Sequence, residues 1–346
     1  MCYILESSYF KIENLLVEVF VNWILFITNS LDVHADVVQK LLLERGEDVI
    51  RLNTDSFSSD RFRLVFNIHQ GENSLSFLGK RVNLAEIKSV WYRRPESLQT
   101  NISHSGQNEF AQRELKELLF QLYFNLPNSF WVSDYISLEK SRRKYSQLLT
   151  AHSCGFFIPK TCITNDPDEA KRFFAECNEN MIYKTLHLPI IQPDKSNEKT
   201  LGVPTSLVTN NLINQISLIT ATGGIFQEYV EKDYEIRVTV IGNQIFSARI
   251  DSQNDLSSKV DWRDGVFYGK TDVYAHKLPA EVEQRCFDVT KKMGLNFGAL
   301  DLIKTPDGEY FFLEINPNGQ WLWIEELTGQ PLVCTMADLL SKPPSK

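Results

Sequence analysis

The sequence predicts a mixed α/β (α+β) chain, and three observations carry that prediction. A strand, a helix and a second strand follow one another within residues 23–52, which is a βαβ unit. From about residue 131 onward, helices alternate with runs of strands whose turns can be read directly. The composition, 43% hydrophobic and 23% charged over 346 residues, is that of an ordinary soluble globular protein with room for a sizeable core.

Taken in order, Trp23 to Thr28 (WILFIT) is a continuous apolar run closed by Asn29 and Ser30, as in a buried parallel strand. Asp32 to Arg45 carries apolar residues at helical spacing and ends at Gly46. Asp48 to Leu52 is the next strand. Phe62 to His69 and Ser74 to Phe77 form a hairpin around Gly71, and Val90 to Tyr92 a short strand stopped by Arg93-Arg94-Pro95. A helix over Gln107 to Leu122 completes the first unit.

The second half opens with one helix from Ser137 to Cys154 and another over 167–178, with Pro167 in its first turn. Met181 to Thr185 is a strand, 189–204 an irregular polar loop, and Thr205 to Ile219 a helix. Strands follow at Ile225–Val230, Glu235–Ile241, Gln244–Ile250 and Gly265–Tyr268, with Gly242-Asn243 as a hairpin turn. Ala280 to Met293 is a helix. Phe297–Lys304 and Glu309–Ile315 close the series, joined by Thr305-Pro306-Asp307-Gly308.

Several function classes are disfavoured. A net charge of −8 argues against a nucleic-acid backbone as partner. Residues 1–27 contain apolar runs, but Glu6, Lys11, Glu13 and Glu18 interrupt them, so neither a membrane span nor a signal peptide is expected. For residues 1–21 two readings stay open, a short extra helix or an over-extended start of the reading frame. The six cysteines form no C-x-x-C pair and read as reduced thiols of a cytoplasmic protein. No P-loop, no G-x-G-x-x-G and no G-x-S-x-G elbow is present.

What remains is a constellation of acids and cations. Glu314 and Asn316 are two apart in a strand and share a face. A hairpin brings Asp301 beside them. Two carboxylates and an amide oxygen suit a hard divalent cation, magnesium above all. Gln227-Glu228-Tyr229-Val230-Glu231 is a strand end able to offer backbone groups to an adenine edge. Lys144, Lys184, Arg237 and Arg249 are separated cations of the kind a polyphosphate requires.

In order, these pieces resemble an ATP-grasp ligase: Lys144-x-x-x-Leu148, Gly155-x-x-x-Pro159-x-Thr161, Tyr183-Lys184, Gln227-Glu228-Tyr229-Val230, then Asp301 and Glu314-Ile315-Asn316-Pro317. Three stretches look more narrowly like the peptide-modifying branch that makes microviridins and related graspetides. They are Val90-Trp91-Tyr92-Arg93-Arg94-Pro95, Arg249-Ile250-Asp251-Ser252-Gln253 with Asp261-Trp262-Arg263, and Asn316-Pro317-Asn318-Gly319-Gln320-Trp321 with Glu325-Glu326. The segment after Lys184 departs from the glycine-rich phosphate lid of many ATP-grasp enzymes.

The resemblance implies an ATP-grasp fold behind a βαβ-type pre-ATP-grasp domain, with parts at 22–128, 129–224 and 225–340 after the 1–21 extension. It implies ATP and one or two magnesium ions. Lys144 and Lys184 would serve the α/β-phosphates and the adenine side. Gln227, Glu228, Tyr229 and Val230 would serve adenine, and Glu231 or Asp233 the ribose. Asp301, Glu314 and Asn316 would hold metal, while Arg237 and Arg249 would lie near the transferring phosphate. The expected reaction activates Asp or Glu side chains of a ribosomal precursor peptide and joins them to Ser or Thr hydroxyls, or to Lys amines. Asp194, Glu198 and Arg263 would contact that peptide or its leader, and a homodimer fits the family habit. The alternatives are a ligase adding an amino acid to a small molecule or protein, a phosphotransferase, and a non-catalytic sensor.

Overall fold

The computed structural model describes residues 23–344 apart from 58–61, 101, 127, 188–189, 192–200, 257 and 268. The 1–21 extension, Asp194 and Glu198 therefore lie outside the described residues.

The chain begins with β1 (Trp23–Thr28), α1 (Val33–Glu44) and β2 (Asp48–Asn53). Asp32 caps α1 by accepting from the His34 N–H. An antiparallel meander of β3 (Phe62–Asn67), β4 (Glu72–Phe77) and β5 (Lys80–Asn83) follows. The expected hairpin thus gains a third strand, one too short and polar to stand out. Next come β6 (Ile87–Tyr92), α2 (Ser105–Phe124) and β7 (Phe130–Val132). Parallel strands in the order β2-β1-β6-β7 make the N-terminal sheet. Since β7 pairs with β6, this unit runs past its expected end at 128.

The single helix expected from Ser137 is two, α3 (Tyr135–Ser141) and α4 (Lys144–Ser153), broken at Arg142-Arg143. Then come β8 (Thr161–Thr164), α5 (Pro167–Glu176) and β9 (Met181–Lys184). A two-stranded pair follows, β10 (Ile190–Ile191) with β11 (Leu201–Gly202). The helix expected over Thr205 to Ile219 resolves into β12 (Ser206–Leu207), α6 (Asn210–Asn214) and a 3-10 turn at Ile216–Ala221. Thr209 caps α6, which is why the helix starts there. β13 (Gly224–Glu228) completes a sheet of order β12-β9-β13-β8. It belongs to the central unit, which corrects the expected boundary at 224.

The last unit is a five-stranded antiparallel sheet. It contains β14 (Tyr234–Ile241) and β15 (Gln244–Ile250), then α7 (Trp262–Phe267), β16 (Val273–His276) and α8 (Ala280–Lys292). β17 (Phe297–Lys304) and β18 (Tyr310–Asn316) complete it in the order β16-β15-β14-β17-β18. The strand expected at Gly265–Tyr268 is instead part of helix α7 for the residues described. α9 (Leu322–Thr328) and α10 (Leu332–Ser341) end the chain.

Two hydrophobic clusters each mix N-terminal strand residues with residues of the last sheet and its helices. Leu25 and Ile27 share one with Val238 and Leu300; Phe26 and Trp91 share the other with Trp321 and Met336. A third, with Phe173, Phe174, Met181 and Phe226, is confined to the central unit. No helix among the described residues is long and apolar enough to cross a membrane.

Candidate active site

Strand pairing places the acids. Counting back from Lys304 opposite Tyr310, strict alternation would set Asp301 against Leu313. A bulge shifts the register between Asp301 and Leu302, so that Asp301 faces Glu314 and Ala299 faces Asn316. Bulges commonly re-aim side chains beside active sites. On the other flank Arg237 faces Asp301 and Thr239 faces Ala299. One face of the sheet therefore carries two rows: Arg237–Asp301–Glu314 and Thr239–Ala299–Asn316.

The middle of the first row is buried. Arg237 and Asp301 are 7% exposed each and 3.1 Å apart. Asp301 Oδ1 accepts no hydrogen bond among the described residues. Burial pushes its carboxyl up to about 7, against the pull of Arg237 and with the help of Glu314. Glu314 goes the other way: the Lys144 ammonium, 2.5 Å from it, holds it well below the usual carboxylate range despite burial. Lys144 reaches it because α4 starts at that residue.

Around this floor lies a cleft of about 270 Å³. Lys144, Lys184, Gln227, Glu228, Tyr229, Val230, Arg263, Asp301, Glu314 and Asn316 all line it, so the cleft gathers residues from both sheets. Burial pulls the Lys184 ammonium below its usual value, while Glu314 opposes that. Lys184 has no ion-pair partner within 4 Å among the described residues. Arg263 forks onto Asp261 through Nε and Nη2. That hydrogen bonding raises the guanidinium, with Glu314 and Asp301 adding to it. At the hinge, Glu228 accepts from the Lys160 N–H at 2.9 Å and Gln227 donates to Thr161 at 2.9 Å. The Tyr229 N–H is taken by the Asn180 carbonyl, whereas the Val230 N–H has no acceptor among the described residues.

Three expected residues sit elsewhere. Arg249 is opposite Ile236, in the row that faces the core, so it lies on the other side of the sheet from Arg237. There it stacks 3.8 Å over Tyr234 and pairs with Asp251 at 2.6 Å; its expected place near a transferring phosphate is corrected. Glu231 and Asp233 are exposed and outside the cleft lining. Lys232 between them points in and pairs with Glu235 at 2.7 Å, both almost fully buried.

Sequence reasoning missed Lys232 and Glu235, and it met Asp261 only within the stretch that carries the resemblance. Their i,i+3 and i,i+2 ionic spacings are a weak signal shared with countless surface pairs. Trp262, known beforehand only from the resemblance, also lines the cleft. Arg237 stacks on it at 5.2 Å and Trp323 packs against it at 5.1 Å.

The donor set fits a hard cation: three oxygen-bearing side chains on one face, one of them with a buried carboxylate oxygen that accepts no hydrogen bond among the described residues. Asp301, Glu314 and Asn316 would hold it.

Two family models match the chain. The "MvdD pre-ATP grasp domain" covers residues 23–139 and the "RimK-like ATP-grasp domain" covers 139–340. Among solved structures, the Chryseobacterium gregarium RiPP-associated ATP-grasp ligase, in complex with ADP and a leader and core peptide, is 29% identical. It superposes with a TM-score of 0.85 over 94% of this chain and 98% of its own. The macrocyclase MdnC, bound with precursor peptide MdnA, from Microcystis aeruginosa MRC is 27% identical, with a TM-score of 0.80 over 92% of this chain and 99% of its own. A probable alpha-L-glutamate ligase of Vibrio atlanticus is 24% identical over 226 residues, 63% of this chain and 69% of its own.

Proposed function

This chain belongs to the RimK-like ATP-grasp family, behind an MvdD pre-ATP-grasp domain, and from that premise we infer that it is an ATP-dependent peptide macrocyclase. Its substrate is a ribosomal precursor peptide with a leader. Asp or Glu side chains of that peptide are activated as acyl phosphates and joined to hydroxyls or amines of the same chain. The observation that carries this reading is the Asp301–Glu314–Asn316 oxygen set at the floor of a cleft ringed by Lys144, Lys184 and Arg263. The two solved structures named above, a macrocyclase and an ATP-grasp ligase, are both bound with peptide.

The chemistry explains the layout. A carboxylate is a poor acyl donor because its leaving group would be oxide; the acyl phosphate leaves as phosphate. Magnesium, when bound, neutralises charge on the phosphate oxygens during phosphoryl transfer. Lys144 and Lys184 supply fixed positive charge for the phosphates. The unbonded Val230 N–H is the donor at the adenine edge. Arg263, in the cleft lining beside the carboxylate floor, attracts the substrate acid and steadies the oxyanion that forms when the nucleophile attacks. Trp262 and Trp323 shield that side from water, which would otherwise hydrolyse the acyl phosphate. The cytoplasm, which supplies ATP, is the compartment we assign.

The test is incubation of the full chain with ATP, magnesium and an acid- and Thr-rich precursor peptide bearing its leader, followed by mass measurement. Loss of one water per link is expected. Gain of a glutamyl residue would favour amino-acid addition, as the names of the Vibrio relatives suggest. Retention of a phosphoryl group would sink the ligase reading.

A further inference from the structure

In the N-terminal sheet the chain leaves β1 to build β2 on one side and β6 on the other. The loops after β1 and β6 meet at this switch point, where open α/β sheets place functional groups. They and the first turn of α1 carry Asp32, His34 and Arg93, which are 5%, 5% and 1% exposed. None of the three lines the cleft. All of them bear on the turn that follows Asn316.

Arg93 Nη1 donates to the Asn318 carbonyl, while Nε and Nη2 have no partner among the described residues. His34 Nε2 accepts from the Trp321 N–H at 3.0 Å and the Leu322 N–H at 3.3 Å. Its ring meets that of Trp321 edge-on at 5.0 Å. Asp32 orients the loop, accepting from the His34 N–H at 3.1 Å and the Thr28 hydroxyl at 2.6 Å. Burial, with Arg93 nearby, holds the imidazole far below its usual value, so Nε2 stays free to accept. Within the turn, the Asn318 N–H donates to Asn316 Oδ1 at 3.0 Å. At Gly319 a Cβ would come within 2.5 Å of Ala299 Cβ, so the turn is pressed onto β17 directly beside Asn316.

We propose that Arg93 and His34 are positioning residues for the metal site: the N-terminal domain clamps the Asn318–Leu322 turn and thereby fixes the direction of the Asn316 amide oxygen. The proposal rests on the metal reading above. Arg93 grips the carbonyl of the residue whose N–H holds Asn316 Oδ1; the two groups lie in the peptide units on either side of the Asn318 Cα, so the grip restrains the backbone of that residue. Asn316 Oδ1 keeps a second lone pair for an ion. Stability alone does not call for an arginine here. A buried guanidinium with no ion pair within 4 Å among the described residues is costly, and an apolar side chain would fill the same space more favourably.

The test uses the full chain with saturating ADP and Mn2+ as a paramagnetic probe, its binding followed by electron paramagnetic resonance, with the unfolding midpoint measured alongside. Arg93→Met should weaken Mn2+ binding by roughly 10–100-fold, the loss typical when a group that orients a metal ligand is removed, with ADP affinity nearly unchanged. Arg93→Lys should recover part of it, since an ammonium can still donate to the carbonyl. His34→Ala should shift Mn2+ binding in the same direction and decides the matter if Arg93→Met does not fold. A folded Arg93→Met, or His34→Ala in its place, that holds Mn2+ as tightly as the wild type would overturn the clamp. Wild-type protein that binds no Mn2+ with ADP present would overturn the metal reading beneath it as well.

Discussion

Glu314 is the residue on which the site's charges balance. It stands between two cations, Lys144 and Lys184, and a second acid, Asp301. The Lys144 ammonium keeps it ionised while burial drives Asp301 toward protonation. Two adjacent carboxylates whose environments push them apart are a common mark of a working site rather than a packing accident. Glu314→Gln preserves shape and removes the charge. Turnover should fall roughly 10²–10³-fold, as when one group that stabilises developing charge is lost. Circular dichroism should show the fold intact. Wild-type turnover in this variant would refute the assignment of Glu314 to the metal. Arg237 has a different duty. It compensates Asp301 inside the sheet and, through Trp262, ties the sheet to α7.

At the scale of elements, β18 is the edge of its sheet and has to satisfy its outer backbone groups. Gln147 of α4 does this at Ile315. Its side chain accepts from the Ile315 N–H at 3.2 Å and donates to the Ile315 carbonyl at 2.8 Å and the Ser141 carbonyl at 2.6 Å. It thereby joins the end of α3 to the stretch between Glu314 and Asn316. Gln147→Leu would leave these buried groups unpaired, at about 1–3 kcal/mol for each. Denaturant unfolding should register that loss; a variant as stable as wild type would show that water replaces the amide. No sequence signal marks Gln147, because a helical Gln looks the same whether it faces solvent or a strand edge. The βαβ start, Lys144, Lys184, the hinge and the final hairpin were legible because apolar runs and turn residues are local signals. The Leu313 bulge was not, since it depends on how two strands meet. Arg249 was misplaced for a related reason: alternation shows that neighbours differ in face, but only the register with β14 shows which face is which. The broken 205–221 segment escaped because its helix is only one turn long.

Across the whole molecule, the cores divide the chain into a frame and a flap. The N-terminal sheet shares both of its clusters with the last sheet and its helices. Side chains reinforce that union: Arg45 bonds Asp338 at 2.8 Å and Ser89 bonds the Leu340 carbonyl at 2.7 Å. The sheet of β8, β9, β12 and β13 with α5 and α6 keeps a cluster of its own, so it can tilt without exposing the frame's core. The cleft lies where flap meets frame, with Lys184 and Gln227 on one side and Lys144, Asp301 and Glu314 on the other. A nucleotide there bridges both. Segments with few shared core contacts open locally at low free energy, and a ligand that binds only the closed form suppresses that opening. At a hundred times its dissociation constant the stabilisation is about 2.7 kcal/mol. ADP with magnesium should therefore slow amide exchange roughly a hundred-fold in β8, β9 and β13, and much less in β1, β2 and β6. Equal slowing throughout would mean that flap and frame open as one body. Slowing confined to the frame would mean that the flap takes no part in holding the nucleotide.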